Sequence, residues 1–178
     1  WRRDSYIVSS KVMWGSVDNP RPTQHGLHRK HVFDACHDAM RRLQVDYLDL
    51  YFCHRPDPNV PMEEIVRMMT ELIWQGKVLY WGTSQWSAQQ ITEAHGAARQ
   101  YGLIPPTMEQ PQYSMFHRNK VELEFAPLYE TVGLGTTIFS PLYFGILTGK
   151  YNNGIPEGSR ALLPGYEWMR QIVESEEG

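Results

Sequence analysis

Tyr47-Leu48-Asp49-Leu50-Tyr51-Phe52-Cys53 is a nearly continuous apolar run of strand length. Pro61 then opens a helix at a favoured first-turn position, with Glu63 and Glu64 near its positive end. The apolar stripe of that helix is Met62, Ile65, Val66, Met69, Leu72 and Ile73, and Gly76 closes it. Val78 to Trp81 resumes as a strand. This is one strand–helix–strand unit, and its repetition decides the fold.

The unit repeats in both directions. Upstream, Ser5 to Val12 reads as a strand around Ile7-Val8, and Lys30 to Leu43 as a helix. In that helix Val32, Cys36, Ala39, Met40 and Leu43 fall on one face. Downstream, Ile91, Ala94, Ala98 and Tyr101 mark a helix that ends at Gly102, and Thr107 to Gln110 a short strand after Pro105-Pro106. Val121, Phe125, Leu128, Tyr129 and Val132 give a further helical stripe ended by Gly133, then Thr136 to Phe139 is a fifth strand. The segment from Gly145 to Pro164 is loop-rich, and Tyr166 to Val173 reads as a helix.

Alternating strands and helices predict parallel β/α units with helices covering the sheet. An open doubly wound sheet and part of a (β/α)₈ barrel compete. The dinucleotide fingerprint of the former is missing: Gly133-Leu134-Gly135 precedes a strand and lacks the third glycine. Gly145 and Gly149-Lys150 are spaced too closely for a nucleotide-hydrolase phosphate loop, and Tyr151 stands where Ser or Thr is needed. The expectation is α/β, a partial (β/α)₈ barrel of about five βα units.

Composition narrows the function classes. The 178 residues are 42% hydrophobic and 21% charged, with a net charge of −3, which describes a globular domain. Without a basic face, nucleic acid is not an expected partner. The apolar runs are short and carry charges, so no membrane span is expected. Cys36 and Cys53 are too far apart for a CxxC site and read as reduced thiols of a cytoplasmic protein. His25, His28 and His31 repeat every third residue, yet no carboxylate or thiol joins them at ligand spacing. They read as a solvated surface, not a metal site. Met62, Met68, Met69 and Met115 read as packing, and Trp14 and Trp86, which follow strand ends, either as plain packing or as lining of a substrate mouth.

In barrel enzymes chemistry sits where the strands end. Those ends here are Lys11, His54, Ser84, Gln110 and Ser140, one polar residue per strand. Singly each has a bland explanation, as a solvated lysine, a loop histidine or a turn serine. Together they form a ring of donors with one titratable pair. A lysine and a histidine facing one cavity can tune a proton donor and polarise a carbonyl.

The ordered combination Ser10-Lys11, His54-Arg55-Pro56-Asp57, Trp81-Gly82-Thr83-Ser84, Glu109-Gln110-Pro111-Gln112-Tyr113 and Ser140-Pro141-Leu142 resembles the aldo-keto reductases. Pro58-Asn59, Pro61-Met62-Glu63-Glu64 and Lys150-Tyr151 through Gly154-Ile155-Pro156 to Ser159-Arg160 are similar to the branch that holds potassium-channel β subunits and their plant and bacterial relatives. The resemblance spans essentially the whole chain. It implies hydride transfer from NADPH to an aldehyde or ketone, with Lys11 and His54 in the positions of the catalytic lysine and histidine. Ser84 and Gln110 match contacts to the nicotinamide carboxamide, and Phe139 matches the aromatic ring that stacks on the nicotinamide. Ser140, Pro141, Leu142 and Gly145, with Lys150 and Arg160, match the stretch around the pyrophosphate. The resemblance also implies a small carbonyl substrate, a homo-oligomer (a tetramer in that branch) and a membrane channel as partner.

The family's catalytic aspartate and tyrosine lie upstream of the lysine strand, and Asp4 and Tyr6 stand at the wrong end of that strand to replace them. Residues 1–178 therefore read as an incomplete barrel domain, short of two N-terminal strands and the last βα unit, and this stretch alone is expected to be inactive. The rival reading is a channel-associated regulatory subunit that keeps the cofactor as a redox sensor with little turnover. His54 retains an imidazole that animal channel subunits typically replace, which favours the enzyme. A third reading is a non-catalytic fragment.

Overall fold

The computed structural model describes residues 1–15 and 17–175. Five strands, β1 (Ser9–Val12), β2 (Leu48–Cys53), β3 (Val78–Ser84), β4 (Met108–Gln110) and β5 (Gly135–Thr136), form one sheet. The helices are α1 (Arg29–Leu43), α2 (Met62–Trp74), α3 (Ala88–Tyr101), α4 (Ala126–Thr131) and α5 (Glu167–Val173). Every strand pair is parallel and the spatial order is the chain order. A doubly wound sheet reverses its order at a switch point. This one never does, so the sheet progresses as the wall of a barrel.

The helices form because their apolar residues recur at helical spacing and their ends are capped. Ser87 Oγ accepts the Gln90 N–H while the Gln90 side chain accepts the Ser87 N–H, a reciprocal cap that starts α3. Gly102, in the left-handed region with φ of 64°, ends that helix. Helix α1 packs on α2 and α2 on α3, and this layer covers one face of the sheet. Tyr51, Cys53, Trp81 and Thr83 face the helices and are buried, with the Trp81 indole N–H donating to the carbonyl of Ile104 at 2.9 Å. The alternate residues Leu50, Tyr80 and Ser84 face the other way, into the barrel side, and Tyr80 there is 56% exposed. The core is the slab between sheet and helices, built from Leu48, Tyr51, Trp81, Ile65, Leu72 and Ile91.

Three elements differ from the sequence expectation. The first strand begins at Ser9, not Ser5: Arg3–Ser5 is a 3₁₀ turn and Ile7 is exposed. The Asp49 carboxylate takes the Val8 N–H at 2.7 Å, so the ladder cannot start earlier. The expected helix over 121–132 is split, with a π turn at Lys120–Glu124 before α4. Pro127 lacks an N–H and is tolerated only in the first turn of a helix, so a new helix must begin beside it. The fifth strand pairs regularly at Gly135–Thr136 alone and continues as single bonds from Thr137 to Glu109 and from Phe139 to Pro111. Pro111 has no N–H to return.

Side-chain expectations are corrected as well. His31 is buried, its Nδ1 2.8 Å from the Gly26 carbonyl oxygen, and His28 Nδ1 accepts the His31 N–H as the cap of α1. That pair serves the helix start and is not a solvated surface. Met115 is 78% exposed, and Tyr101 lies at the solvent end of its helix, so neither packs in the core. Trp86 is fully buried and belongs to the core. Among the described residues no helix is long and apolar enough to cross a membrane.

Gly82 sits where β3 and β4 approach most closely: a Cβ there would lie 2.3 Å from the Met108 carbonyl oxygen. Gly82→Ala must push the strands apart, and overpacking of this kind costs about 1–3 kcal/mol. Urea unfolding of that variant should show a correspondingly lower midpoint with an unchanged slope.

Candidate functional site

Parallel strands place all their C-terminal ends at one rim, and the predicted residues lie along it. Lys11 is the penultimate residue of β1, and its ammonium lies 5.8 Å from the centre of the Phe52 ring. His54 follows β2 directly, with its N–H donating to the Val12 carbonyl at 2.9 Å, so it stands beside the end of β1. The Trp14 ring meets the imidazole edge-on at 4.4 Å, and the Arg55 guanidinium lies 5.3 Å from the same indole. Arg55 Nη1 donates to the His54 carbonyl at 2.6 Å. Trp14 therefore stands at the rim, whereas Trp86 is core packing.

The loop that carries Trp14 is tied down by Asp57, whose carboxylate accepts the N–H groups of Leu27 and Asn59 at 2.9 and 3.0 Å. Gly26, with φ of 84°, passes so close to that carboxylate that a Cβ would lie 2.7 Å from Oδ2. The loops after β1 and β2 are thereby locked together.

The electrostatics follow from crowding three cationic groups. Partial burial, then Arg55 and Lys11, push the His54 imidazole down to about 4. Burial and then Arg55 also lower the Lys11 ammonium from its ordinary value. At neutral pH the pair is thus a neutral imidazole beside an ammonium. A neutral imidazole offers one N–H donor and one acceptor nitrogen.

Ser84 and Gln110 are neighbours in the β3–β4 register, and the Ser84 hydroxyl donates to the Gln110 carbonyl at 2.9 Å. The Gln110 amide donates to the Thr137 hydroxyl at 3.2 Å, which turns its side chain toward β5. Phe139 is half-buried and pairs in parallel with Gln112, one bridge beyond the end of β4. Ser140, Pro141 and Leu142 follow in a bent segment, with φ of 53° at Ser140 and 102° at Gly145. A Cβ on Gly145 would lie 2.5 Å from Lys150 Cε, so the lysine stem crosses over that glycine.

The structure brings Lys11 to His54, and Ser84 to Gln110 and Phe139. Lys150 and Arg160 it holds on separate supports. The Lys150 ammonium sits 4.8 Å from the Tyr151 ring centre, and the Arg160 guanidinium 5.6 Å from that of Tyr166, with Nε 3.5 Å from Met169 sulfur. Among the described residues neither is ion-paired to a carboxylate. Among the described residues no group of three His, Cys, Asp or Glu side chains gathers as a metal would need. Cys36 and Cys53 are free and buried, and burial raises both thiols, Cys36 to about 12, so neither is a nucleophile at neutral pH.

Sequence reasoning missed Arg55 and Glu109. Glu109 is fully buried on the helix side of β4, where it accepts a hydrogen bond from the Thr83 hydroxyl. Strand alternation holds the signal: if Gln110 faces the rim, Glu109 must face the helices.

A lysine–histidine pair and a set of amide and hydroxyl groups thus stand at the C-terminal rim of consecutive parallel strands, where (β/α)-barrel enzymes carry their chemistry. The model of the aldo/keto reductase family matches residues 1–175, and the chain belongs to that family.

His54 should be the histidine that resists protonation. Its pKa is lowered from the ordinary 6.5 to about 4, so the contribution of its neutral form to stability is fully present above 6.5 and fades as pH falls toward 4. A two-dimensional NMR pH titration should show its ring resonances moving near pH 4, and a midpoint near 6.5 would refute the desolvated arrangement.

Proposed function

We propose that the chain is the catalytic rim of an NADPH-dependent reductase of small aldehydes and ketones. The observation that carries this reading is the placement of Lys11 and His54 at the ends of adjacent strands, next to the Ser84–Gln110 pair on the same rim. The residues present fit a nicotinamide dinucleotide. A serine hydroxyl and a glutamine amide can pair with a carboxamide, and two cations without carboxylate partners, on a glycine-rich loop, can meet phosphates.

When bound, the reduced cofactor supplies the hydride. The chain's own residues do the rest. His54, neutral at pH 7, donates its ring N–H to the carbonyl oxygen and sets the angle of the substrate. A protonated imidazole here would add a third positive charge beside Lys11 and Arg55, which explains why the site keeps it neutral. The Lys11 ammonium, partly withdrawn from water, stabilises negative charge as it grows on that oxygen. The exposed Trp14 indole, packed on His54, offers an apolar wall to the substrate. Lys150 and Arg160 would hold the pyrophosphate, and Phe139 would offer its ring to the nicotinamide.

Proton donation contributes about 10²–10⁴-fold to such reactions. Asp4 is engaged with Arg2 at 2.7 Å and the Tyr6 ring with Arg3, away from Lys11, so neither serves as the acid. The 178-residue polypeptide is accordingly expected to bind NADPH but to reduce 4-nitrobenzaldehyde negligibly. Turnover at ordinary enzymatic rates would show that the acid is supplied from within these residues.

Binding is tested by quenching of tryptophan fluorescence. Charge-assisted contacts contribute about 1.5–3 kcal/mol each, so Arg160→Ala should weaken NADPH binding about tenfold or more. That loss should shrink as salt rises, because phosphate contacts are screened. Lys11→Met should leave the dissociation constant largely intact, since Lys11 acts on the reacting oxygen. Absence of saturable NADPH binding by the unsubstituted chain would overturn the proposal.

A further inference from the structure

Glu109 is a buried carboxyl group directly behind the rim, and the proposed chemistry leaves it without a task. It is fully buried, one oxygen accepts from the Thr83 hydroxyl, and Oε1 has no partner at hydrogen-bond distance. The backbone N–H groups of Gln85 and Trp86 face the carboxyl and favour its ionised form. Both belong to the turn that leaves β3 immediately after Ser84. Gln85 stands there in the left-handed region, with φ of 62°, a conformation that costs a non-glycine residue energy and persists only where neighbours enforce it.

The charged and titratable groups around Glu109 come from several elements. Cys53 on β2 faces it as a neutral thiol, and Arg55 from the loop after β2 and Lys120 from the turn before α4 bear on it as cations. The Lys120 ammonium also lies 3.4 Å from the Gln85 side-chain oxygen, so the same turn is held from outside. Burial opposes ionisation and the surrounding donors and cations favour it, which leaves the carboxyl poised at about 7.

We propose that Glu109 is a positioning residue: its carboxylate, set between Thr83 and the Gln85–Trp86 amides, fixes the turn that presents the Ser84 hydroxyl beside Gln110, so nicotinamide binding tightens when Glu109 ionises. This rests on the reading of Ser84 and Gln110 as carboxamide contacts. The coupling is short in covalent terms, because Thr83 precedes Ser84, Glu109 precedes Gln110, and both pairs are in register. A carboxylate can accept from the Thr83 hydroxyl and still has acceptor capacity on Oε1 toward the two amides; a protonated carboxyl has less and must place a proton in the same space.

The test has two arms on the whole chain. In the first, amide NMR shifts of Gln85 and Trp86 are followed from about pH 5 to about pH 9. A shared midpoint near pH 7 is expected, lost in Glu109→Gln and moved upward in Thr83→Val, which removes a donor to the ionised form. In the second, NADPH affinity is measured by fluorescence at about pH 6 and about pH 8, with a weakening at the lower pH of about threefold or more, the ratio of a half-unit pKa change. Because wild type and Glu109→Gln meet the same cofactor, titration of the NADPH phosphate cancels in the comparison, and the extra weakening should vanish in the variant. Should Glu109→Gln fail to fold, Thr83→Val still reports, by shifting the pH at which affinity changes. Equal pH dependence in wild type and Glu109→Gln, or Gln85 and Trp86 amides that do not titrate, overturns the positioning role alone. Failure of NADPH to bind at either pH, with those amides titrating normally, overturns the cofactor reading and this inference with it.

Discussion

Everything at the rim depends on the register of a parallel ladder. Side chains alternate along a strand, so a slip of one residue would turn Ser84 and Gln110 toward the helices and bring Thr83 and Glu109 into the open. The register is held far from the rim, at the opposite end of the strands. There the Asp49 carboxylate accepts both the Val8 N–H and the Arg3 guanidinium, while the Val8 carbonyl accepts the N–H groups of Asp49 and Leu50. Burial works against ionised Asp49, but those donors outweigh it and hold the carboxyl below its ordinary range. Gly82 serves the same end in mid-strand, where only the absence of a side chain lets β3 lie so close to Met108. Structural pins at one end thus fix chemical geometry at the other.

That division explains how much of the molecule was legible in the sequence. The helices were, because apolar spacing, Pro61, Ser87 and Gly102 are local signals and tertiary packing did not override them. The polar strand ends were, because a parallel sheet turns the end of each apolar run into a position on one rim. The start of β1 was not, since Asp49 lies some forty residues from Val8 and its claim on that amide leaves no trace in the pattern around Ile7. The division of the fourth helix was signalled only by Pro127, which is compatible with one helix if it stands in a first turn and with two if it does not.

The same logic separates the two glutamate-like readings of the β4 motif. In Glu109-Gln110 the sequence sets an acid and an amide side by side, and both cannot face the rim. Period two forbids it. One must be buried among apolar neighbours, and the strand's pairing with Thr83 decides that it is the acid. Similarly, His31 looked like surface because its neighbours His25 and His28 are polar, yet its ring closes onto the Gly26 carbonyl beneath the loop that bears Trp14. A histidine can be a helix-start fastener as readily as a ligand, and only the third dimension distinguishes them.

Charge is distributed in the way the rim's chemistry demands, although the whole chain is acidic. The net charge is −3, yet Lys11, Arg55, Lys150 and Arg160 all stand at the rim or on the loop beyond β5, outside every carboxylate ion pair among the described residues. Several arginines elsewhere are paired locally, as Arg118 is with Glu122 and Arg170 with Glu174. Such exposed pairs add little stability, about 0–1 kcal/mol each. Aromatic faces take the place of carboxylates at the rim: Phe52 under Lys11, Trp14 beside Arg55, Tyr151 under Lys150 and Tyr166 under Arg160. A ring quadrupole steadies a cation without cancelling its charge. The cations therefore stay ordered and still available to an anion, and a concave rim lined with one sign of charge concentrates oppositely charged ligands. Neutral His54 completes the arrangement, because partial burial, reinforced by Arg55 and Lys11, strips its proton and leaves the positive charge on the lysine and arginine side chains.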